Sequence, residues 1–390
     1  MKICALIAEY NPFHNGHLKH IEYIKNQLDA DRIIVLMSGN FTQRGEPALL
    51  NKYTRARHAI LAGADLVIEL PTVFATANAE TFATGSINIL NALGVVDGIC
   101  FGVESGVKEE YTALASAMLN ESKDFKKILK TKLEQGVSLA KAKFETVKEF
   151  YRTEFNSSLI GSPNNILGLE YTKAILKNKS NIEIYPMLRE GDHNDSRLKK
   201  GITSASSIRL TVKEGKKKKT KKCLPKYSFK DIKEYPFAFD KMIMTSVLTT
   251  SEQKMSQIPD CTEGLENRIK ALSKDNLSVD KLIEKVTTKR YPSSRIRRIL
   301  ISCLLDIDKN LVDECLECKL YAKILAVNED SKDLISLLCE KSKIPVLTRK
   351  SDVDKLKKTA EKCFRKDVLA NDLYSLATNQ KLNENNMLII

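Results

Sequence analysis

No stretch of the 390-residue chain approaches the roughly 20 consecutive apolar residues that a membrane-spanning helix requires. The apolar run 1–8 meets Glu9 and Asn11 too early to form a signal-peptide core, so no membrane association is expected. The nine cysteines are odd in number and scattered through apolar or helical patterns, which argues for a reduced, cytoplasmic setting rather than a disulfide framework. Only Cys315 and Cys318 have metal-like spacing. No second Cys or His pair lies nearby to complete a tetrahedral site, and the two read as neighbours one turn apart on a helix. Internal repeats and long low-complexity segments are absent too.

What is present is a globular composition, 43% hydrophobic and 29% charged, enough to bury a proper core. A chain of 390 residues is too long for one ordinary compact domain, so two domains, or one with a large appendage, are expected. The formal net charge of +14 favours a polyanionic partner such as nucleic acid, through phosphate neutralisation and counterion release.

The first hundred or so residues alternate short β-rich apolar runs with helical patterns, the signature of an α/β fold with a parallel, Rossmann-like sheet. Strands are expected at 2–8, 32–37, 66–70 and 98–103, and helices at 16–27, 52–62 and 80–93, with Gly63 and Gly94 where C-terminal caps belong. A ligand should then bind at the carboxyl ends of the strands. Residues 105–180 read as a lysine-rich helical insertion before a fifth strand at 181–188 and a new helix at Ser204. The run 215–222, with six lysines after Gly215, should repel itself and stay an exposed loop, either a solvated linker or a phosphate contact. The expected division is a catalytic domain at 1–214, a basic linker at 215–224, and a mostly helical domain at 225–390 with short strands at 321–327 and 344–347.

Histidine is scarce, five in all, yet His14, His17 and His20 cluster just after the first strand, where the first helix begins. A helix N-terminus offers unpaired backbone N–H groups and the positive end of the helix dipole, and imidazole N–H groups add directed donors for a bound anion. Gly16 lets a nucleotide approach the backbone, and Tyr10, Asn11, Pro12 and Phe13 supply the turn. His-x-Gly-His alone is a weak signal. Its position after a buried strand predicts a phosphate site around His14, Asn15, Gly16 and His17, with His20 reading as a surface histidine. In 203–209, Ser204, Ser206 and Ser207 suit a helix cap that also meets phosphate oxygens, and Arg209 supplies a fixed cationic fork.

These two segments resemble the (H/T)xGH and late Ser/Thr-rich Ile-Arg motifs of the nucleotidyltransferase superfamily, relatives of class I aminoacyl-tRNA synthetases with the HUP fold. The segments 7–17, 38–47 and 162–168, with Lys289-Arg290-Tyr291 and Arg295-Ile296-Arg297-Arg298, are more narrowly similar to the tRNA(Met) cytidine acetate ligase family, over most of the chain. The resemblance implies that acetate attacks ATP to give acetyl-adenylate, and that the wobble cytidine of elongator tRNA(Met) then takes the acetyl group as N4-acetylcytidine. It implies ATP contacts from Ile7, Ala8, Glu9, Tyr10, Asn11, Pro12, Phe13, His14, Asn15, Gly16, His17, Leu18, Lys19 and His20. Gly102, Asn164 or Asn165, and Arg189 would join them, with His14, His17 and Arg209 stabilising the reacting phosphorus and departing pyrophosphate.

Lys289, Arg290, Tyr291, Arg295, Arg297 and Arg298 form the densest mixed basic and aromatic patch of the second half, suited to an RNA backbone and a stacked base, or else a solvated helix face. Lys52 and Arg55 face a carboxylate substrate, tRNA phosphates or solvent. Magnesium is expected with ATP, but no carboxylate pair declares itself as its ligand. The sequence departs from the family pattern at 189–195, which puts His193 and Asp195 in doubt, at Asn51, where an aspartate is common, and at the lysine run. A small-metabolite adenylyltransferase and an RNA-binding protein with a degenerate nucleotide site are the competing readings. The oligomeric state is not legible.

Overall fold

The computed structural model describes residues 1–120, 122–136, 139–152, 154–189, 203–233, 235, 238–275 and 278–390. The expected elements form with ends shifted by one or two residues. Strand β1 (Ile3–Ala8) pairs in parallel with β2 (Arg32–Ser38), and a small antiparallel hairpin follows, β3 (Phe41–Thr42) with β4 (Glu46–Pro47). Parallel pairing continues through β5 (Leu66–Leu70), β6 (Gly98–Val103) and β7 (Glu183–Leu188).

Because alternate residues of a strand face opposite sides, β1 and β2 feed two separate cores. Ile3, Ala5, Ile34 and Leu36 pack with one hydrophobic cluster, and Cys4, Leu6, Ile33 and Val35 with the other. Helices α1 (Asn15–Asn26) and α2 (Lys52–Leu61) close the second face through Ile21, Ile24, Ala56 and Ile60. The short α3 (Thr72–Ala75) and longer α4 (Ala79–Leu93) close the first. Asn51 and Asn78 cap α2 and α4 by accepting from Thr54 and Thr81 N–H groups, and Gly94 ends α4 in the left-handed region at φ 72°. The expected insertion is helical, with helices Lys108–Met118, Lys123–Glu134, Leu139–Tyr151 and Pro163–Lys177 between β6 and β7.

Two expectations about the second half need correction. The segment beyond 225 does not stand apart from the sheet. The apolar strand β8 (Ala322–Val327) pairs antiparallel with β5, and β9 (Val346–Leu347) and β10 (Leu388–Ile389) both pair in parallel with β8. The sheet order is β10-β8-β5-β2-β1-β6-β7, so the last part of the chain covers an edge that β5 would otherwise expose. The segment that departs from the sheet layer is the helical block from Phe239 to Glu317. Nor is the lysine run a loose loop, because Lys217–Cys223 forms a 3-10 turn. Thr220 and Cys223 are buried there, and Lys217 Nζ donates to the Ile232 carbonyl, while Lys218, Lys219, Lys221 and Lys222 stay exposed.

A buried group of four charges fastens this closing edge. Lys52 Nζ lies 2.8 Å from Glu69 and 2.7 Å from Glu384, and Lys323 Nζ lies 2.9 Å from Glu69 and also contacts Glu384. Burial opposes the Lys52 ammonium, but Glu384 and Glu69 together hold it well above the ordinary lysine range. Glu384→Ala leaves two buried ammonium groups facing one carboxylate, and is expected to cost about 3–5 kcal/mol of stability. Urea unfolding measures it. A loss confined to surface salt-bridge size would show that the four charges do not act together.

Candidate active site

The turn between β1 and α1 sets the histidines. His14 is the N-cap of α1 and is buried; its Nδ1 accepts from Gly16 N–H at 3.0 Å, while His14 N–H donates to His17 Nδ1 at 3.2 Å. This reciprocal cap occupies the Nδ1 lone pair of both rings, which stack with centroids 3.7 Å apart. In the neutral imidazole the proton must then sit on Nε2, so each ring keeps Nε2–H as a donor. Burial, with His14, Arg189 and His20 nearby, holds His17 well below the ordinary histidine range, and burial with Arg189 brings His20 down to about 4. The site therefore offers neutral donors at the positive end of a helix.

The second segment starts helix Ala205–Lys213, with Ser204 as its N-cap accepting from Ser207 N–H. Arg209 donates through one Nη to the Asn11 carbonyl at 2.8 Å, and its other Nη lies 3.1 Å from Glu46 and 3.3 Å from Ser206 Oγ. Arg44, from the β3–β4 loop, donates to the same Ser206 hydroxyl at 3.3 Å. Gly45 presses that loop onto helix Ser293–Leu305. It has φ +71°, and a Cβ there would lie 2.5 Å from the backbone at Arg297 and Arg298.

These elements enclose a cleft of about 610 Å³ at the carboxyl ends of β1, β6 and β7, as expected for a parallel sheet. His14, His17 and Arg209 line it together. So do Ile7, Ala8, Glu9, Tyr10, Asn11, Gly16 and His20 of the first segment, with Gly102, Asn164, Arg189 and Ser206. Gly102 is needed for space, since a Cβ would sit 2.9 Å from Arg189 Cδ. Asn11 carries a buried Nδ2 with no partner among the described residues.

A profile of the HIGH Nucleotidyl Transferase family matches residues 1–387. The tRNA(Met) cytidine acetate ligase of Thermoanaerobacter sp. (strain X514) is 38% identical over 387 residues, covering 97% of this chain and 96% of the relative. That of Clostridium perfringens (strain SM101 / Type A) is 36% identical, covering 96% and 95%. The chain belongs to the tRNA(Met) cytidine acetate ligase family. Two crystal structures of Thermotoga maritima TmcAL align over the whole of both chains, an apo form at TM-score 0.93 and 30% identity and a form bound with alpha-thio ATP at 0.90 and 29%. The Rossmann-like sheet of a nucleotidyltransferase is therefore the family fold.

Several residues singled out from the sequence lie elsewhere. Pro12, Phe13, Asn15, Leu18, Lys19, Asn165, Ser204 and Ser207 are not among the lining residues of the cleft. Phe13 is core, and Asn15 ties the loop to the Lys222 carbonyl at 3.0 Å. Asn165 is buried and spent on Glu104 N–H, Ser105 Oγ and the Ser158 carbonyl, whereas Asn164 reaches the cleft and donates to Glu104 at 2.6 Å. Lys52 and Arg55 are buried and do not line the cleft. Lys52 belongs to the four-charge group, and Arg55, fully buried and lowered to about 10 by burial, donates to the Leu50, Glu9, Ser38 and Gly39 carbonyls. Both stand in the first two turns of α2, where a cation reads as solvated unless its distant partners are known.

The basic patch divides. Arg297 and Arg298 line the cleft, while Arg290 pairs with Glu263, and Arg295 stacks over Tyr291 and donates to the Asp260 carbonyl. Cys315 is buried in helix Lys309–Glu317 and Cys318 caps it. His193 and Asp195 fall outside the described residues. Sequence reasoning assigned no role to Gln43, Arg44 and Glu46, which line the cleft. The polar run between the two short strands of the hairpin was the available signal.

The histidines also set an acid limit. With folded values below the ordinary 6.5, the unfolded chain takes up protons at His17 and His20 before the native protein does. Stability is thus fully present above pH 6.5 and falls as pH drops toward 4, by up to about 1.4 kcal/mol per pH unit for each histidine. Denaturant titrations across that window should show a shallower loss for His20→Gln than for the unsubstituted protein.

Proposed function

We propose that this chain activates acetate with ATP and acetylates N4 of the wobble cytidine of elongator tRNA(Met). The observation that carries the reading is the convergence of His14, His17 and Arg209 on one cleft. The names of its relatives and the alpha-thio ATP bound to the Thermotoga protein support it.

In the first step an acetate oxygen attacks the α-phosphorus as the bond to pyrophosphate breaks. Such a displacement needs positioning and charge stabilisation rather than a covalent group on the protein. Nε2–H groups of His14 and His17, with the α1 N-terminus, meet the phosphate oxygens, and Arg209 faces the departing pyrophosphate. In the second step the exocyclic amine attacks the acetyl carbon and AMP leaves. Magnesium would enter with the nucleotide. Among the described residues no group of three or more His, Cys, Asp or Glu forms a preassembled metal site, and no step is assigned to a metal.

The helical block from Phe239 to Glu317 brings Arg297 and Arg298 to the cleft, which favours an RNA acceptor over a small metabolite. Acetate-dependent ATP–pyrophosphate exchange and nucleoside mass analysis of acetylated tRNA test the two steps. His17→Ala should lower exchange by about 100- to 1,000-fold. Its tRNA binding should remain, because the ring serves ATP; parallel loss of both would contradict the assignment. Lys289→Ala with Arg290→Ala, away from the cleft, should leave exchange intact and reduce the slope of log affinity against log salt by about 1 for each RNA phosphate that is no longer neutralised.

A further inference from the structure

Beside the cleft lies a second, smaller cavity of about 220 Å³, between the β3–β4 loop and helices Phe239–Thr249, Val279–Val286 and Ser293–Leu305. It is not isolated. Arg44, Glu46, Ser206, Arg209 and Arg297 line both spaces, so the wall beside the triphosphate site is also the wall of this cavity. Its volume falls below the roughly 300–1,000 Å³ of sites for drug-sized ligands and suits one planar base rather than a nucleotide.

The lining is mixed in a way that suits a base. Phe239, Ile243 and Leu300 give an apolar floor, while Asp240 lies on the polar side. Of the cations that line the cavity, Lys213 and Arg297 are engaged by Asp280, at 2.8 and 3.5 Å, and Arg209 by Glu46. Asp240 accepts no hydrogen bond from any described residue. Burial, reinforced by Asp280 and opposed by Lys213 and Arg297, raises its carboxyl above the ordinary aspartate range. Its oxygens are open to solvent, so a ligand that enters the cavity must replace their water hydrogen bonds with a donor of its own.

We infer that this side cavity seats the unstacked acceptor base of the RNA, with the Asp240 carboxylate taking one hydrogen of its exocyclic amine. The inference rests on the proposed acetyl transfer. Anticodon-loop bases are single-stranded and can be splayed into such a pocket, read along their Watson–Crick edge and held against apolar side chains. With one amine hydrogen on Asp240, the amine nitrogen is turned toward the wall shared with the cleft. Uracil has a carbonyl in place of the amine and would meet the carboxylate acceptor to acceptor.

The experiment separates the two half-reactions. Asp240→Ala should keep acetate-dependent ATP–pyrophosphate exchange while kcat/KM for tRNA acetylation falls about 10- to 100-fold, the loss of one buried hydrogen bond. Asp240→Asn, whose amide oxygen still accepts, should recover part of it. Free cytidine should inhibit acetylation by the unsubstituted protein more strongly than uridine, and Asp240→Ala should lose that preference. Undiminished acetylation by Asp240→Ala, exchange that falls in step with transfer, or equal inhibition by the two nucleosides would overturn the assignment. Failure of the underlying reading looks different: the unsubstituted protein would show no acetate-dependent exchange.

Discussion

One hydrogen bond, from Arg209 to the Asn11 carbonyl, joins two segments that lie far apart in the chain. Without it the histidine turn and the serine-rich helix start are separate anion sites; with it they are one wall. Arg209 reaches Asn11 because helix Ala205–Lys213 begins beyond the carboxyl end of β7, next to the turn that leaves β1. The parallel sheet thus brings the two loops to the same edge, and the guanidinium uses its fork to hold Asn11 on one arm and Glu46 and Ser206 on the other.

Arg55 and the four-charge group do for the scaffold what Arg209 does for the site. Arg55 spends its donors on the Leu50 carbonyl and on backbone carbonyls where β1 and β2 end, fixing the start of the histidine turn and the entry to the β3–β4 hairpin. Behind it, Lys52 binds α2 to β5 and to Glu384 near the end of the chain. Buried ions of this kind are weak contributors to net stability but costly to unpair. The closing strand β8 and the residues after it are therefore fastened to α2 and β5 by charges that have nowhere else to go.

The strands and helices of the first half were legible because buried parallel strands are short unbroken apolar runs and their helices carry an apolar stripe. The run at 322–327 was equally legible as a strand, but a run apolar on both faces does not say which edge it joins or in which direction. Of the site, the histidine turn and Arg209 were readable from residue type and place. Lys52 and Arg55 were not, since a charged residue is read as exposed by default, and Glu384, which buries Lys52, lies at the other end of the sequence. Arg297 and Arg298 could not be told apart from Arg290 and Arg295 by composition. What separates them is that only the former pair meets the β3–β4 loop, at the close approach Gly45 permits.

In the proposed reaction the protonation state of the histidines bears on why a strongly basic protein would leave a phosphate-binding turn uncharged. Cationic rings at His14 and His17 would attract any polyanion, RNA backbone and pyrophosphate product included, and would hold the ground state as firmly as the transition state. Uniform binding of that kind does not speed the chemical step. Neutral Nε2–H donors attract less at a distance and direct their hydrogen bonds to where phosphate oxygens gain charge, in a cleft whose burial strengthens each of them. The fixed charge comes from arginines instead, Arg44, Arg189, Arg209, Arg297 and Arg298, and Arg189 is also among the groups that keep His17 and His20 unprotonated. Within the proposed reaction, the division of labour between neutral and charged donors follows from one packing fact, the two stacked imidazoles that cap each other's backbone.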